Sequence, residues 1–385
     1  MSKLEELIEQ YCPDGVEWKP LGEATIMKRG TSATKGIMQE GDIPVISGGR
    51  QPAFYCNVSN RTGEVITVAG SGAGAGYVQY WNEPIFVCDA FSIQGNETLK
   101  TKYVYYILTN IQEKIYSTKK GGGVPHVHIS SIDKFEIPVP PLPVQEEIVR
   151  ILDAFTELQA ELQAELQKRK QQYNYYLDNL LNFNNINRGG YQAEVRWMKL
   201  KDIGKVCMCK RILKSQTSSY GDVPFFKIGT FGGNADAYIS QALFNEYKAK
   251  YSYPQKGDVL ISAAGTIGRT IVFDGTPSYF QDSNIVWLKH DESIVLNSYL
   301  RYCYALNPWV VSTGGTIARL YNDNILEATI PVPSLANQQR IVSILDRFDT
   351  LTTDLTQGLP AEIEKRRQQY EYYRDKLLTF KRKGA

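Results

Sequence analysis

The sequence predicts an α+β fold: two tandem α+β domains, related as a pseudo-twofold repeat and separated by two long, antiparallel, coiled-coil-like helices. Three observations predict it. First, the 385-residue chain repeats itself, because Ile137-Pro-Val-Pro140 returns as Ile330-Pro-Val-Pro333. Likewise Gln145-Glu-Glu-Ile-Val-Arg-Ile-Leu-Asp153 returns as Gln338-Gln-Arg-Ile-Val-Ser-Ile-Leu-Asp346, both 193 residues on. The match resumes at Lys168-Arg-Lys-Gln-Gln-Tyr-Asn-Tyr-Tyr176 against Lys365-Arg-Arg-Gln-Gln-Tyr-Glu-Tyr-Tyr373, now 197 residues apart. A period near half the chain is too long for a solenoid and implies two copies of a domain plus a helix. Second, the text before each repeated segment consists of short β-like runs broken by glycines. Third, the repeated segments carry apolar residues mostly three and four apart, the spacing of a coiled coil.

In chain order, Ser2 and Glu5 fit a capping box that opens a short helix ending near Cys12-Pro13. Residues 1–17 form this helix and lead-in. A first domain is expected over 18–136, with strands at 43–46, 64–68, 77–80 and 85–88 and one helical stretch around 103–116. A proline-rich hinge, Pro138 to Pro143, precedes a first helical segment assigned to 137–185. Its stripe is Ile148, Leu152, Phe155, Leu158, Leu162, Leu166 and Tyr173. From 144 to 183 it would extend about 60 Å if continuous at about 1.5 Å per residue.

Within that helix Thr156-Glu-Leu-Gln, Ala160-Glu-Leu-Gln and Ala164-Glu-Leu-Gln form a tetrad repeat. It reads either as good helix-forming sequence or as a ruler between the domains. A second domain is expected over 186–329, with Trp197 answering to Trp18, Asp222-Val-Pro to Asp42-Ile-Pro, and Gly257-Asp-Val-Leu to Gly63-Glu-Val-Ile. The second helical segment, 330–385, continues the stripe with Leu345, Phe348, Leu351, Leu355 and Tyr370. It is expected to break at Gly358-Leu-Pro360 and restart with Pro360 in its first turn.

Composition is that of an ordinary globular protein, 43% hydrophobic and 22% charged, with a formal charge of +2 that neither announces nor excludes a polyanionic partner. The six cysteines do not occupy matching places in the two copies, unlike a disulfide framework. The acidic, amphipathic start and the lack of any run of about 18 apolar residues predict a cytoplasmic protein.

Catalytic motifs fail one by one. Gly70-Ser-Gly-Ala-Gly-Ala75 matches a dinucleotide fingerprint, with Asp89 about twenty residues on, but the following Tyr77-Val-Gln-Tyr80 reads as a strand where a helix N-terminus is needed. A glycine-rich turn exposing backbone amides is the better reading. Pro13-Asp14 and Glu17-Trp-Lys19 have the residue types of a nuclease metal site, but two intervening residues cannot put the acids on neighbouring strands. Asn307-Pro-Trp309 lacks the second proline of an adenine-methyltransferase loop. Cys207-Met-Cys209 has no second ligand pair, and His126 with His128 has no neighbouring acid or cysteine, so no metal is expected.

What remains is a binding surface of glycine loops and basic side chains. In the first domain these are Lys28, Arg29, Ser47, Arg50, Gln51, Lys119, Lys120, His126 and His128. In the second they are Lys210, Arg211, Lys227, Thr230, Arg269, Arg319 and Tyr321. Such groups neutralise phosphates or read base edges in the major groove. Any one alone would be an ordinary surface charge; recurrence at matched places in both copies raises its weight.

The repeated Ile-Pro-Val-Pro entry, the Gln-Glu-Glu-Ile-Val-Arg-Ile-Leu-Asp helix start and the Lys-Gln-Gln-Tyr-x-Tyr-Tyr ending, each after a divergent domain, resemble the specificity subunit (HsdS) of type I restriction-modification enzymes over essentially the whole chain. The resemblance implies two target recognition domains, each reading half of a bipartite site in double-stranded DNA, with the two helices as spacer. It implies that two methyltransferase (modification) subunits dock on this chain and that restriction/translocase subunits join them. S-adenosylmethionine, ATP and Mg would sit on those partners and no catalytic residue or cofactor in this chain. The competing readings are a coiled-coil scaffold, which leaves the basic loops unexplained, and a stand-alone DNA methyltransferase, which lacks a cofactor loop.

Overall fold

The computed structural model describes residues 2–33, 39–183, 195–311 and 319–384. The chain divides into two compact units, residues 1–164 with 361–385, and residues 165–360.

The first unit opens with the helix Lys3–Tyr11, capped as its sequence requires. The Ser2 hydroxyl accepts the Glu5 N–H at 3.3 Å and the Glu5 carboxylate accepts the Ser2 N–H at 2.7 Å. Among the described residues nine strands follow: β1 (Glu17–Pro20), β2 (Ile26–Arg29), β3 (Ile43–Ile46), β4 (Phe54–Cys56), β5 (Val65–Ala69), β6 (Val78–Trp81), β7 (Phe86–Val87), β8 (Ala90–Gln94) and β9 (Glu136–Val139). They form an antiparallel sheet in the order β2-β8-β5-β6, a three-stranded sheet β4-β3-β7 whose β3–β7 pairing is parallel, and the closing pair β1–β9. Strand β5 is buried along its whole length. Because side chains alternate across a sheet, Ile66 and Val68 join the main core with Phe91, Ile93 and Tyr103. Val65 joins a second cluster with Ile46 and Val87. The expected helical stretch is two helices, Thr101–Asn110 and Gln112–Tyr116.

The second unit repeats this topology with β10 (Arg196–Lys199), β11 (Lys205–Met208), β12 (Val223–Phe226), β13 (Tyr238–Ile239), β14 (Val259–Ser262), β15 (Thr270–Val272), β16 (Tyr279–Phe280), β17 (Ile285–Lys289) and β18 (Thr329–Val332). The sheets are β11-β17-β14-β15, β13-β12-β16 and β10–β18, and β12–β16 is again the parallel pairing. Helix Asn297–Ala305 corresponds to Thr101–Asn110. An additional helix, Gln241–Lys250, has no sequence-based expectation behind it; Ser240 caps it and Phe244 anchors it in the core.

The first repeated helix is continuous over Leu142–Leu181, 40 residues, with residues up to 164 in the first unit and the rest in the second. The second copy is broken, Leu335–Thr353 and Leu359–Leu377. Leu355 departs from the expected stripe: it lies in the break and is 80% exposed, while Thr352 is buried in its stead. The Asp354 carboxylate accepts the N–H of Thr356 at 2.7 Å and of Gln357 at 3.2 Å, which diverts the chain before Leu355 can turn inward. Leu351 is half-buried, as are Leu158 and Leu162; Leu166 is buried.

Both units fasten their repeated helix to their sheet with the same contacts, which periodicity does not reveal. Gln145 is fully buried; its amide donates to the carbonyls of Thr98 and Pro140 at 2.8 and 2.7 Å and its oxygen accepts the Lys100 N–H at 2.8 Å. Gln338 makes the same three bonds with Ile294, Pro333 and Leu296, each at 2.9 Å. The Tyr103 and Tyr299 hydroxyls donate to the Pro138 and Pro331 carbonyls, and Tyr106 and Tyr302 donate to Asp153 and Asp346. Ile148, Leu152 and Leu345 are fully buried beside them. Phe155 stacks on Tyr373 at 5.6 Å, with Tyr370 at 6.4 Å, in the first unit. Tyr176 stacks on Phe348 at 5.1 Å in the second. These are the same two repeat positions with the partners exchanged, and Tyr173 packs beside them in the second unit.

Candidate nucleic-acid interface

In the first unit one end of the four-stranded sheet gathers most of the expected residues. Antiparallel pairing puts Arg29 opposite Phe91 and Ala69 opposite Ala90, so the exposed Lys28–Arg29 strand end, the Asp89 turn and the 70–76 turn share that end. Two further loops close on it. Residues 120–126 fold back through paired Lys120 and His126 backbones at 3.0 and 2.8 Å, while Gly72 N–H donates to Pro125 and Val127 N–H to Gly70, each at 3.0 Å. The 47–51 loop is pressed against the turn. A Cβ on Gly48 would stand 2.3 Å from the Ser71 carbonyl, and one on Gly74 would stand 2.4 Å from the Gly48 carbonyl, so side chains at either place would separate the loops.

The Arg50 guanidinium lies over the Tyr77 ring at 5.0 Å and Lys119 over Tyr116 at 4.1 Å. The His126 and His128 rings stack at 5.9 Å. Ser47 is half-buried and Gln51 exposed in the same loop as Arg50. Lys28, Arg29, Arg50, Lys119 and Lys120 have no carboxylate partner among the described residues.

The 70–76 turn joins two antiparallel strands, which excludes a dinucleotide fold, and four of its seven amides are engaged within the protein. The N–H groups of Gly70, Gly72, Ala75 and Gly76 bond to Asp89, Pro125, Gly72 and Ala69. The turn is a hub that positions the basic loops, and the Ser71 hydroxyl donates to Asp89 beside it.

The second unit builds the same end from different side chains. Lys210 and Arg211 follow β11, and Lys210 lies over Tyr251 at 5.2 Å. Gly268 repeats the left-handed φ of Gly76 (80° against 82°), and Arg269, which follows it, donates to the Gly232 carbonyl at 3.2 Å. Leu320 N–H donates to Ala263 at 2.9 Å, as Val127 does to Gly70. Arg319, at the place of His126, donates to the Ser283 carbonyl and hydroxyl, both at 3.0 Å, and lies 5.9 Å from the exposed Tyr321 ring. Residues 314–318 of this loop lie outside the described residues, as do 186–194 at the expected domain start.

Thr230 has a local role: its hydroxyl accepts the Lys227 N–H at 3.0 Å and donates to the Lys227 carbonyl at 3.2 Å. Cys209 is buried, and burial pushes its thiol up to about 12, so it stays protonated beneath Lys210. No group of three or more His, Cys, Asp or Glu is placed to hold a metal among the described residues. No helix there is long and apolar enough to cross a membrane.

Arginine escaped the sequence reading at one place. Arg61 donates to the Ser92 hydroxyl at 2.7 Å and to the Arg29 carbonyl at 2.8 Å, fixing β2 from behind, and burial lowers its pKa. No spacing signals such a residue.

The chain matches a family model described as the type I restriction modification DNA specificity domain, over residues 13–190 and 192–365. It is 45% identical to a Haemophilus influenzae protein named as a type I restriction enzyme specificity subunit, with 98% of each chain covered. It is 30% identical to the type I restriction enzyme EcoR124I/EcoR124II specificity subunit of Escherichia coli, covering 99% of this chain and 97% of that one. The crystal structure of the type I restriction-modification S subunit from M. genitalium shares the fold, with a TM-score of 0.60 at 17% identity, covering 94% of this chain and 95% of that one.

Proposed function

Because this chain belongs to the type I restriction-modification DNA specificity family, we propose that it is the non-catalytic subunit that reads DNA for a type I complex, one half-site per unit. The observation that carries this reading is the loop cluster built twice on one topology with different side chains. Arg50 and His126 stand in the first unit and Arg269 and Arg319 in the second. A shared scaffold with divergent loops suits two different half-sites, since arginine reads guanine O6 and N7 while lysines hold phosphates. We assign the recognition domains to 18–136 and 186–329 and the spacer and docking helices to 137–185 and 330–385. Methyl transfer belongs to the partner subunits, which would take the target adenine out of the stack.

The helices supply two like docking surfaces for two methyltransferase subunits. Ile148, Leu152 and Leu345 are enclosed in their own units and are inaccessible to a partner. The exposed faces repeat instead. Arg169 donates to Glu165 and Gln172 at 2.7 and 2.9 Å, and Arg366 donates to Glu362 and Gln369 at 2.8 and 3.0 Å. Tyr175 and Tyr372 are 63% and 62% exposed at equivalent places.

The function is tested by long-read methylation profiling of a modification-free host that expresses this chain with the methyltransferase subunit encoded beside it. Adenine methylation at one split motif, dependent on this chain, is expected. Soluble, co-purifying proteins that add no methylation would favour the scaffold. The same assay tests the spacer. Deleting Ala160 to Gln163 removes about 6 Å and about 40° of helical phase, and the gap between half-sites is expected to shorten by about one to two base pairs. An unchanged gap would remove the tetrads from any role in spacing.

A further inference from the structure

We propose that Asp282 and Asp236 are specificity-determining residues of the second unit: each restrains a basic side chain until the duplex offers an exocyclic amino group in its place. This deepens the DNA-reading function above and rests on it. Arg211, Lys227, Asp236, Gln281 and Asp282 line one cleft of about 540 Å³ beside the loop cluster. Arg211 Nε lies 3.3 Å from Asp282 Oδ2, and Lys227 Nζ lies 2.8 Å from Asp236 Oδ1. In the first pair the arginine side chain is 71% exposed and the Asp282 side chain 21%, so the carboxylate is the fixed member and the guanidinium the arm that can leave; in the second pair both members are exposed, Lys227 at 42% and Asp236 at 56%. Its neighbour Gln281 is held at both ends: the side-chain oxygen accepts the Ile228 N–H and its own N–H donates to the Phe226 carbonyl, both at 2.9 Å.

The first unit differs. Asp89 stands at the corresponding turn before β8, but it accepts the Ser71 hydroxyl and pairs with no cation among the described residues, while Arg50 and Lys119 rest on tyrosine rings. The first unit therefore offers its cations directly to phosphates, whereas the second offers Arg211 and Lys227 only by exchange. An exposed ion pair is weak, so exchange with a phosphate is easy. The carboxylate left behind then faces a polyanion and lacks a donor, which is unfavourable unless the sequence supplies one. A cytosine N4 or adenine N6 amino group in the major groove supplies that donor; a guanine or thymine edge presents acceptors and does not. Discrimination thus comes from rejecting wrong sequences as well as from holding the right one.

The test uses the intact complex of this chain with its methyltransferase subunits. Three duplexes are compared: the methylated motif found by profiling, that motif with its second half scrambled, and that motif with its first half scrambled. For Asp282→Asn and for Asp236→Asn, binding to the duplex with the scrambled second half is expected to rise about tenfold, the scale of one relieved like-charge contact. The preference for the correct first half should persist. Asp236 is the more exposed of the two and keeps the test open should Asp282→Asn fail to fold. Equal changes on all three duplexes, or unaltered rejection of the scrambled second half, would overturn the proposal while the DNA-reading function stood. An unsubstituted complex that failed to distinguish the duplexes would overturn both.

Discussion

Exchange of residues 18–136 for those of a relative with a different target is expected to replace one half of the methylated motif and leave the other half and the gap unchanged. The exchange is favoured by where the segment ends. Trp18 on β1 pairs with Pro138 on β9, so entry and exit lie side by side and the graft meets the host at one antiparallel pair. The graft must also dock on the retained helix. That docking uses a tyrosine at position 103 for the Pro138 carbonyl, one at 106 for Asp153, and the backbone of Thr98 and Lys100 for Gln145. The second unit meets the same requirements with Tyr299, Tyr302, Ile294 and Leu296 while carrying different loops. One scaffold therefore already tolerates two readers within this molecule. Methylation profiling of the exchanged protein measures the outcome, and altered bases in both halves would contradict the assignment of one half-site to each unit.

Gln145→Ala and Gln338→Ala are each expected to destabilise their unit by about 3 kcal/mol, because each removes three hydrogen bonds and leaves buried backbone groups unpaired. Both glutamines are 0% exposed, so water cannot replace the lost amide without opening the helix–sheet junction. Gln145→Glu is no rescue: the carboxylate can still accept the Lys100 N–H but faces the carbonyls of Thr98 and Pro140 with no donor. Denaturant unfolding of each variant reads the loss, and a change below about 0.5 kcal/mol, the scale of an ordinary surface substitution, would show that the junction does not depend on the amide. Methylation should fall in parallel, since a loosened unit presents its loops without a fixed relation to its helix.

Much of this architecture is legible in the residues because it depends on period. Alternation and glycine breaks mark β3, β5 and β6, the three-and-four spacing marks Leu142–Leu181, and Gly358-Leu-Pro360 marks the break that the structure places between Thr353 and Leu359. Leu355 shows the limit of such reasoning, because a side-chain cap from Asp354 overrides an apolar stripe that is otherwise in register.

The candidate interface divides along the same line. Sequence by itself determined that the protein has two copies of one scaffold with basic, glycine-rich loops at matched places, since repetition and residue type are properties of a linear text. The tertiary structure alone decided which of those residues stand together and what holds them. It gathered Arg29, Arg50 and His126 around one turn, four of whose amides are engaged internally. It also assigned Thr230 to a local turn and set Asp282 against Arg211 and Asp236 against Lys227. These partners are joined by strand pairing and loop packing between distant segments, as Asp282 and Arg211 are, or by the fold of one loop, as Lys227 and Asp236 are. A hydrogen bond or ion pair depends on a few ångströms of space that neither composition nor periodicity encodes.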